Sequence, residues 1–226
     1  VALPSHRPAR PVCIPQEFCR LRPLSPRRLV LPSHRHRAAL AGTSSIWRHM
    51  THKYQHNIPS RLAKNDFVAV FGGVYEHSAW MAEDVWEMKP GSGCTSDRDT
   101  ADGLLAAFRT VLDHAGDNAK CTLLCAHPDL AGKLAIADKL TSESSAEQAS
   151  ADLGNCTPEE FEAFQALNKS YREKFGFPFI LAVRGYHRTE ILEVFRQRID
   201  NNRKTEFRIA LEQVHRIALL RLEDIT

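Results

Sequence analysis

The spacing of apolar residues predicts helices over most of the chain beyond residue 65. Between residues 99 and 113, one helical stripe carries Leu104, Leu105, Phe108, Val111 and Leu112. Gly116 is placed to end this helix, and residues 119–126 form a second, short apolar helix. Residues 67–71 are apolar throughout, and periodicity alone does not separate a buried strand from a helix there.

The clearest helix signals begin at Thr157, which is a good N-cap. It is followed by Pro158 at the first helical position and by Glu160 as the acid of a capping box. Gly176 is a typical stop, and Pro178 favours extended or irregular chain over residues 177–183. Two more helices are predicted at 189–200 and 205–223.

The last predicted helix places Arg221 on its apolar stripe. That stripe runs through Phe207, Leu211, Val214, Ala218, Arg221 and Ile225. A guanidinium in such a position needs an anionic partner, or it must extend along the surface to reach water. Spacing alone leaves both interpretations open.

The N-terminal segment differs from the rest of the chain. Residues 1–50 carry a net charge of +8, whereas residues 51–226 carry −5, so the folded part gives no support for nucleic-acid binding. Residues 1–49 are rich in Arg, Pro, Ser and His without apolar periodicity, and we expect them to be disordered. Their arginine-rich, acid-poor character resembles an organelle transit peptide, while Met50 looks like a start codon preceded by upstream-translated sequence.

Length and composition then predict one compact, multi-helix domain over residues 50–226. No apolar run approaches the roughly 18 to 20 residues that a membrane span needs, so a transmembrane role is excluded. The six cysteines are too loosely spread for a disulfide framework and favour a reducing compartment. Cys121, Cys125 and His127 raise the question of a metal site, but no second ligand pair at zinc spacing exists, and none is predicted.

His127 is the first candidate for chemistry. It precedes Pro128, which favours an extended backbone at His127 and the start of a helix at Pro128. An imidazole at a helix entrance acts as an acid or base near neutral pH, and a carboxylate partner would fix its tautomer and raise its pKa. The alternative is that His127 only caps a helix.

Glu147 is the second candidate, in a region crowded with hydroxyls, acids and an amide from Thr141 to Gln148. One interpretation is structural, because residues 144–147 fit a capping box in which Glu147 bonds back to the Ser144 amide. The other is functional, since such a cluster at a helix N-terminus suits a bound anion. The chain lacks a phosphate loop, a nucleophile elbow and a nicotinamide or flavin fingerprint, which favours cofactor-free acid–base chemistry.

Five blocks, in the same order as in the family, make residues from about 65 to 223 resemble the OHCU decarboxylases of urate degradation. OHCU is 2-oxo-4-hydroxy-4-carboxy-5-ureidoimidazoline. The blocks are GGVYEHS at 72–78 with Trp80, HPDLAGK at 127–133, TSES at 141–144 leading to Glu147 and Gln148, KFGFPFI at 174–180, and LRL at 220–222.

The resemblance implies an all-α, cofactor-free lyase that releases CO2 from OHCU, yields (S)-allantoin and acts as a homodimer. It makes residues 67–71 helical. It places the catalytic histidine on His127 and its partnering glutamate on Glu147. The substrate-holding positions fall on Pro128, Ser144, Gln148, Phe179, Ile180, Val183 and Arg221, so that Arg221 finds its anion in the substrate.

Two alternatives remain at this stage. A helical module that kept the fold without activity would not need His127 and Glu147 to converge, whereas the enzyme needs both to open onto one pocket with Arg221. A metal-dependent hydrolase of a related cyclic ureide would use Cys125 and His127. The C-terminal residues Asp224, Ile225 and Thr226 are not a peroxisomal address, and we expect a cytosolic protein unless residues 1–49 direct it to an organelle.

Overall fold

The computed structural model describes residues 52–88, 97–132 and 141–226, and the expected disorder of residues 1–49 lies outside these ranges. Within them, the regular structure is helical apart from one isolated bridge between Lys53 and Thr100. The α-helices are α1 (Lys64–Phe71), α2 (Ala79–Glu87), α3 (Ala101–His114), α4 (Asp117–Ala126), α5 (Ser142–Ser150), α6 (Pro158–Phe175), α7 (Arg188–Arg198) and α8 (Arg203–Ile225). The all-α prediction is therefore confirmed, and residues 67–71 are helical.

The long helix α8 lies at the centre of the fold. It packs against α3, α4 and α6, while α2 packs against both α1 and α3. Its buried face includes Ala210, Val214, Ala218 and Leu222, and the same face carries Arg221, which is 6% exposed. The prediction that Arg221 lies on the apolar side of this helix is confirmed.

Local capping explains where α6 begins and ends. The Thr157 hydroxyl accepts from the Glu160 amide, and the Glu160 carboxylate accepts from the Thr157 amide, which is the predicted capping box. At the other end Gly176 takes a left-handed conformation with φ of 82°, which a side chain would disfavour. The following residues, 177–183, are buried and irregular, as expected.

Gly116 has a different role from the predicted one. Helix α3 ends at His114 with Ala115 as its C-cap, and Gly116 is the N-cap of α4, with an ordinary φ of −67°. The next helix therefore begins at Asp117, two residues earlier than predicted, because this aspartate favours the first turn of a helix electrostatically.

A buried polar network supports the irregular segment 177–183. Arg198 donates from Nη1 to the Ile180 carbonyl at 2.7 Å and from Nε to Glu206 at 2.9 Å. Its guanidinium also lies over the Phe179 ring, 4.4 Å from the centroid. Glu206 is fully buried and accepts a further hydrogen bond from Tyr171. This segment is therefore anchored from behind by paired and satisfied charges.

Candidate active site

His127 lies at the C-terminal end of α4, where it is the C-cap residue, and not at a helix start as predicted. Its ring is buried, and Nδ1 lies 3.0 Å from the carbonyl oxygen of Leu123, one turn earlier. A carbonyl can only accept, so Nδ1 carries the proton. In the neutral ring, Nε2 is then left as the unprotonated, basic nitrogen.

Burial keeps this ring neutral. Removal from water lowers the pKa of His127 to about 4, against the opposing effects of the Leu123 carbonyl and the Glu76 charge. A nearby carboxylate does raise the pKa of His127, as predicted, but the net shift of this pKa is downward. The desolvation of a buried imidazole outweighs the attraction of the nearby carboxylate.

Pro128 belongs to an irregular loop and does not begin a helix in the described residues. Three amide side chains bind the backbone of this loop. Gln148 accepts from the Ala131 amide and donates to the Asp129 carbonyl, Gln165 donates to Ala131, and Asn168 donates to Leu130. Gln148, predicted to hold substrate, thus has both ends of its amide bonded to the loop that follows His127.

Glu147 is not part of a capping box. The N-cap of α5 is Thr141, whose hydroxyl accepts from the Ser144 amide at 3.2 Å, so the cap lies three residues before the predicted one. This shift places Glu147 in the second turn, where its side chain meets Arg221. The two bonds are Arg221 Nε to Oε1 at 2.7 Å and Nη2 to Oε2 at 3.0 Å.

Arg221 lies at the centre of a buried cluster of acceptors. Besides Glu147, it donates from Nη2 to Glu76 at 3.0 Å and to Ser144 at 3.5 Å, and from Nη1 to the Gly73 carbonyl at 3.2 Å. Burial lowers the pKa of Arg221, but the bonds and charges of Glu147 and Glu76 outweigh it and raise the pKa overall. The anion required by the position of Arg221 is therefore supplied by two carboxylates of the protein.

Glu76 is a member of this cluster that sequence reasoning missed. It follows α1 in the turn before α2, and its side chain is 2% exposed. Its carboxylate accepts from Thr141 at 2.9 Å and from Ser144 at 3.1 Å in addition to Arg221. Burial raises the pKa of Glu76, yet the charge of Arg221 and the Thr141 hydroxyl outweigh it and hold the pKa below its ordinary value.

Two cavities meet at Glu147. The smaller, with a volume of about 30 Å³, is lined by His127, Pro128, Leu130, Ser144, Glu147, Gln148, Phe179, Ile180, Leu181, Val183 and Ile217. The larger, of about 310 Å³, is lined by residues that include Glu147, Arg221, Arg184, Val70 and Ala146. The structure thus brings eight of the nine predicted site residues to the smaller cavity, and Arg221 lines the larger one.

His127 and Glu147 converge on one cavity, as the enzyme requires, but they do not pair with each other. His127 and Glu147 line the same cavity, yet the hydrogen bonds of the Glu147 carboxylate within the described ranges all go to Arg221. The carboxylate whose charge acts on His127 is Glu76. A cavity of 30 Å³ holds about one or two water molecules, so a larger ligand needs additional space.

Cys121, Cys125 and His127 do not form a metal centre with other described residues. Over residues 52–88, 97–132 and 141–226, no three His, Cys, Asp or Glu side chains are placed to share a metal ion. The Cys125 thiol lies 3.5 Å from the Gly176 carbonyl, to which it donates. The described residues therefore do not form a metal site on Cys125 and His127.

In the same ranges, no helix is long and apolar enough to cross a bilayer.

Comparison with known proteins identifies relatives of this chain. The model of the OHCU decarboxylase family matches residues 60–223. An OHCU decarboxylase of Haloferax volcanii is 40% identical over 165 residues, covering 73% of this chain and 92% of the relative. The mouse (Mus musculus) OHCU decarboxylase is 36% identical over 160 residues, covering 71% of this chain and 86% of the relative.

Solved structures agree with this assignment. A crystal structure of (S)-allantoin synthase superimposes with a TM-score of 0.58 at 33% identity, over 74% of this chain and 52% of that one. A crystal structure of OHCU decarboxylase in the presence of (S)-allantoin shares the fold, with a TM-score of 0.51 at 20% identity, over 67% of this chain and 94% of that one.

Proposed function

Because this chain belongs to the OHCU decarboxylase family, we infer that it removes CO2 from OHCU to give (S)-allantoin in urate degradation. It is therefore an enzyme of the carboxy-lyase class. The observation in the site that carries this inference is a neutral, buried imidazole that shares a cavity with Glu147, whose carboxylate is bonded to an arginine. This is a set of groups suited to holding an anion and moving a proton.

The reaction needs two things from the protein. The bond between carbon 4 and the carboxylate breaks, its electron pair passes into the adjacent carbon–nitrogen double bond, and CO2 leaves. The ring nitrogen that receives the electron pair takes a proton from solvent, which leaves an enol over carbons 4 and 5. A proton is then delivered to carbon 5 from one face, while the 4-hydroxyl gives up its proton to become a carbonyl. The protein must hold the departing carboxylate and control both proton transfers.

His127 is suited to the proton transfers. Its Nδ1–H is bonded to Leu123, so Nε2 is the nitrogen that exchanges a proton. The low pKa of the ring keeps Nε2 unprotonated at neutral pH, so that it can accept a proton. We propose that Nε2 takes the hydroxyl proton and returns a proton to carbon 5. Delivery from a fixed ring at one wall of the cavity would give a single enantiomer.

Arg221 is suited to the substrate carboxylate, because a guanidinium and a carboxylate form two parallel charge-assisted hydrogen bonds. Glu147 would orient and polarise the reacting groups beside His127. Ser144 and Gln148 offer polar contacts at the same cavity, while Pro128, Phe179, Ile180 and Val183 form its apolar wall. Such a wall excludes water and strengthens the charged interactions inside.

We also propose that the active form is a homodimer that acts without a cofactor, on the basis of the family resemblance. Sedimentation equilibrium of the purified chain would give the expected mass of two chains. A mass of one chain in the presence of full activity would contradict this part of the proposal.

The test of the function is the rate and chirality of allantoin formation from freshly generated OHCU. We expect the full chain to accelerate CO2 release and to produce (S)-allantoin, detected by circular dichroism. OHCU decays without enzyme to racemic allantoin, which serves as the blank. Racemic product at the spontaneous rate in the presence of the protein would mean that the fold serves another purpose.

A further inference from the structure

Two carboxylates share the guanidinium of Arg221, and their surroundings differ. Glu76 has a side chain only 2% exposed, and its oxygens also accept from the hydroxyls of Thr141 and Ser144. The Glu147 side chain is 17% exposed, lines both cavities, and within the described ranges its carboxylate bonds to Arg221 alone. Moving Glu76 would break three hydrogen bonds from three residues, whereas moving Glu147 would break its contact with one.

The charges in this cluster conflict with the binding of an anion. Two ionised carboxylates and one guanidinium carry a net charge of −1, and a substrate carboxylate brings a second negative charge into a buried site. Bringing like charges together away from water is costly. An anion therefore reaches Arg221 readily only if one of the two carboxylates moves off the guanidinium.

We propose that Glu76 is the fixed partner that positions Arg221, and that Glu147 is the exchangeable partner whose place the substrate carboxylate takes. This inference rests on the proposed function and deepens it. Displaced from Arg221, the Glu147 carboxylate moves toward the cavity that it shares with His127. The exchange joins the 310 Å³ cavity to the 30 Å³ cavity and gives a substrate the space that the smaller one lacks.

The proposal explains why His127 and Glu147 do not bond in the ligand-free chain. With Glu147 on Arg221, His127 has only its bond to Leu123 among the described residues. Arrival of the substrate assembles the acid–base pair at the moment when the carboxylate is bound. Glu76 is then a positioning residue, acting through Arg221 and Ser144 without touching the substrate.

The experiment is a binding titration with hydantoin-5-acetate, a stable cyclic ureide that carries a carboxylate. The variants are Glu76→Gln and Glu147→Gln, each of which removes one negative charge beside Arg221. The matched control is Glu212→Gln, which removes a carboxylate paired with Arg109 outside the site. We expect the control to bind like the unaltered chain.

The two site variants are expected to change binding in opposite directions. Glu147→Gln should bind the probe about tenfold more tightly, because the competitor for Arg221 is weakened. Glu76→Gln should bind it about tenfold more weakly, because Arg221 then holds Glu147 as its sole carboxylate and is no longer fixed by Glu76. If Glu76 contributed only its negative charge and did not position Arg221, both variants would bind the probe more tightly. That result would overturn the proposal.

Two further measurements keep the test decisive. A crystal structure with the probe should place its carboxylate on Arg221 Nε with Glu76 unmoved; a displaced Glu76, or no binding to the unaltered chain, would overturn the exchange. If Glu76→Gln does not fold, Glu76→Asp keeps the charge but withdraws it from Arg221, and it should weaken binding in the same direction. These results do not require turnover of OHCU, so failure of the proposed function is seen separately, as inactivity of the unaltered chain.

Discussion

The ring of His127 is bonded to the carbonyl of Leu123, four residues earlier in the same helix, at 3.0 Å from Nδ1. The partner that fixes its tautomer is therefore a backbone group and not the carboxylate that the sequence suggested. A carbonyl at a helix C-terminus has no partner within the helix, so the bond also satisfies a group that would otherwise need water. The same contact thus ends α4 and leaves Nε2 as the basic nitrogen.

We expect His127→Asn to lower kcat by about 10² to 10⁴-fold, because the proton carrier is lost. The measurement is the formation of (S)-allantoin after subtraction of spontaneous decay. A suitable control is His215→Asn, which alters another buried histidine whose Nδ1 is bonded to Tyr75 outside the site. The control should lose stability but retain turnover. Equal turnover in folded His127→Asn and the unaltered chain would remove His127 from the mechanism.

The pH dependence of kcat/KM should reflect the neutral ring of His127. Its pKa is lowered to about 4, mainly by burial, so the basic form of Nε2 persists well below neutral pH. We expect kcat/KM to stay nearly constant from pH 7 to 5 and to fall only as the pH approaches 4. An acidic limb centred near pH 6.5, the ordinary value for histidine, would show that the ring is solvated in the free enzyme.

Stability should fall over the same pH range in which activity persists. His127 and His215 both have their pKa lowered to about 4, mainly by burial, so between pH 6.5 and 4 the unfolded chain binds two protons that the native chain does not. Together these two protons lower the free energy of unfolding by roughly 3 kcal/mol for each pH unit. Urea unfolding at pH 7, 6 and 5 should show this loss.

A histidine variant separates the two contributions to this pH dependence. In His215→Gln, the slope of unfolding free energy against pH should fall by roughly 1 kcal/mol per pH unit, because one of the two histidines that take up a proton on unfolding is gone. An unchanged slope would mean that His215 is protonated in the native state.

Arg221→Lys should raise KM at least tenfold while the chain still folds. The ammonium keeps the charge between Glu76 and Glu147 but cannot present two parallel donors to a carboxylate. Arg221→Met goes further, because it leaves the buried Glu76 and the half-buried Glu147 without their shared guanidinium, and we expect it to cost about 3 to 5 kcal/mol of unfolding free energy. Steady-state kinetics and urea unfolding of both variants test this prediction, which a Met variant of normal stability would contradict.

Gln148→Leu tests whether the amide serves the loop or the substrate. Both its oxygen and its nitrogen are bonded to the loop after His127, and one of these bonds holds Ala131, which has a positive φ of 48°. We expect a loss of about 1 to 3 kcal/mol of stability, because two buried backbone groups lose their partner. A fully stable variant with a raised KM would assign Gln148 to direct substrate binding instead.

Sequence patterns predicted most of the helices because their signals are local. The capping box at Thr157 and the left-handed Gly176 involve residues a few positions apart, and both are confirmed. The errors also have local causes. Both Thr141 and Ser144 can cap a helix, and Thr141 takes the cap because its hydroxyl also donates to Glu76, 65 residues away in the chain.

The site was only partly predictable because its residues are far apart in the sequence. The need of Arg221 for an anion followed from the apolar stripe, but the identity of that anion did not. Glu76 and Arg221 are separated by 145 positions, and no periodicity links them. The charge requirement of one buried guanidinium was the available signal, and it does not select among the 27 acidic residues of the chain. Only the packing of α8 beside residues 72–78 determines which acidic residues pair with Arg221.

The bond between Arg198 and the Ile180 carbonyl has a consequence for how the site opens. Because this wall is tied to a buried ion pair, and the Ala182 amide is bonded to Gln213, the segment can move away only when part of the core unfolds. The Ala182 amide proton should therefore exchange with solvent as slowly as those of the core helices. The wall is the rigid part of the pocket, and room for a substrate comes from the movement of Glu147, which lines both cavities.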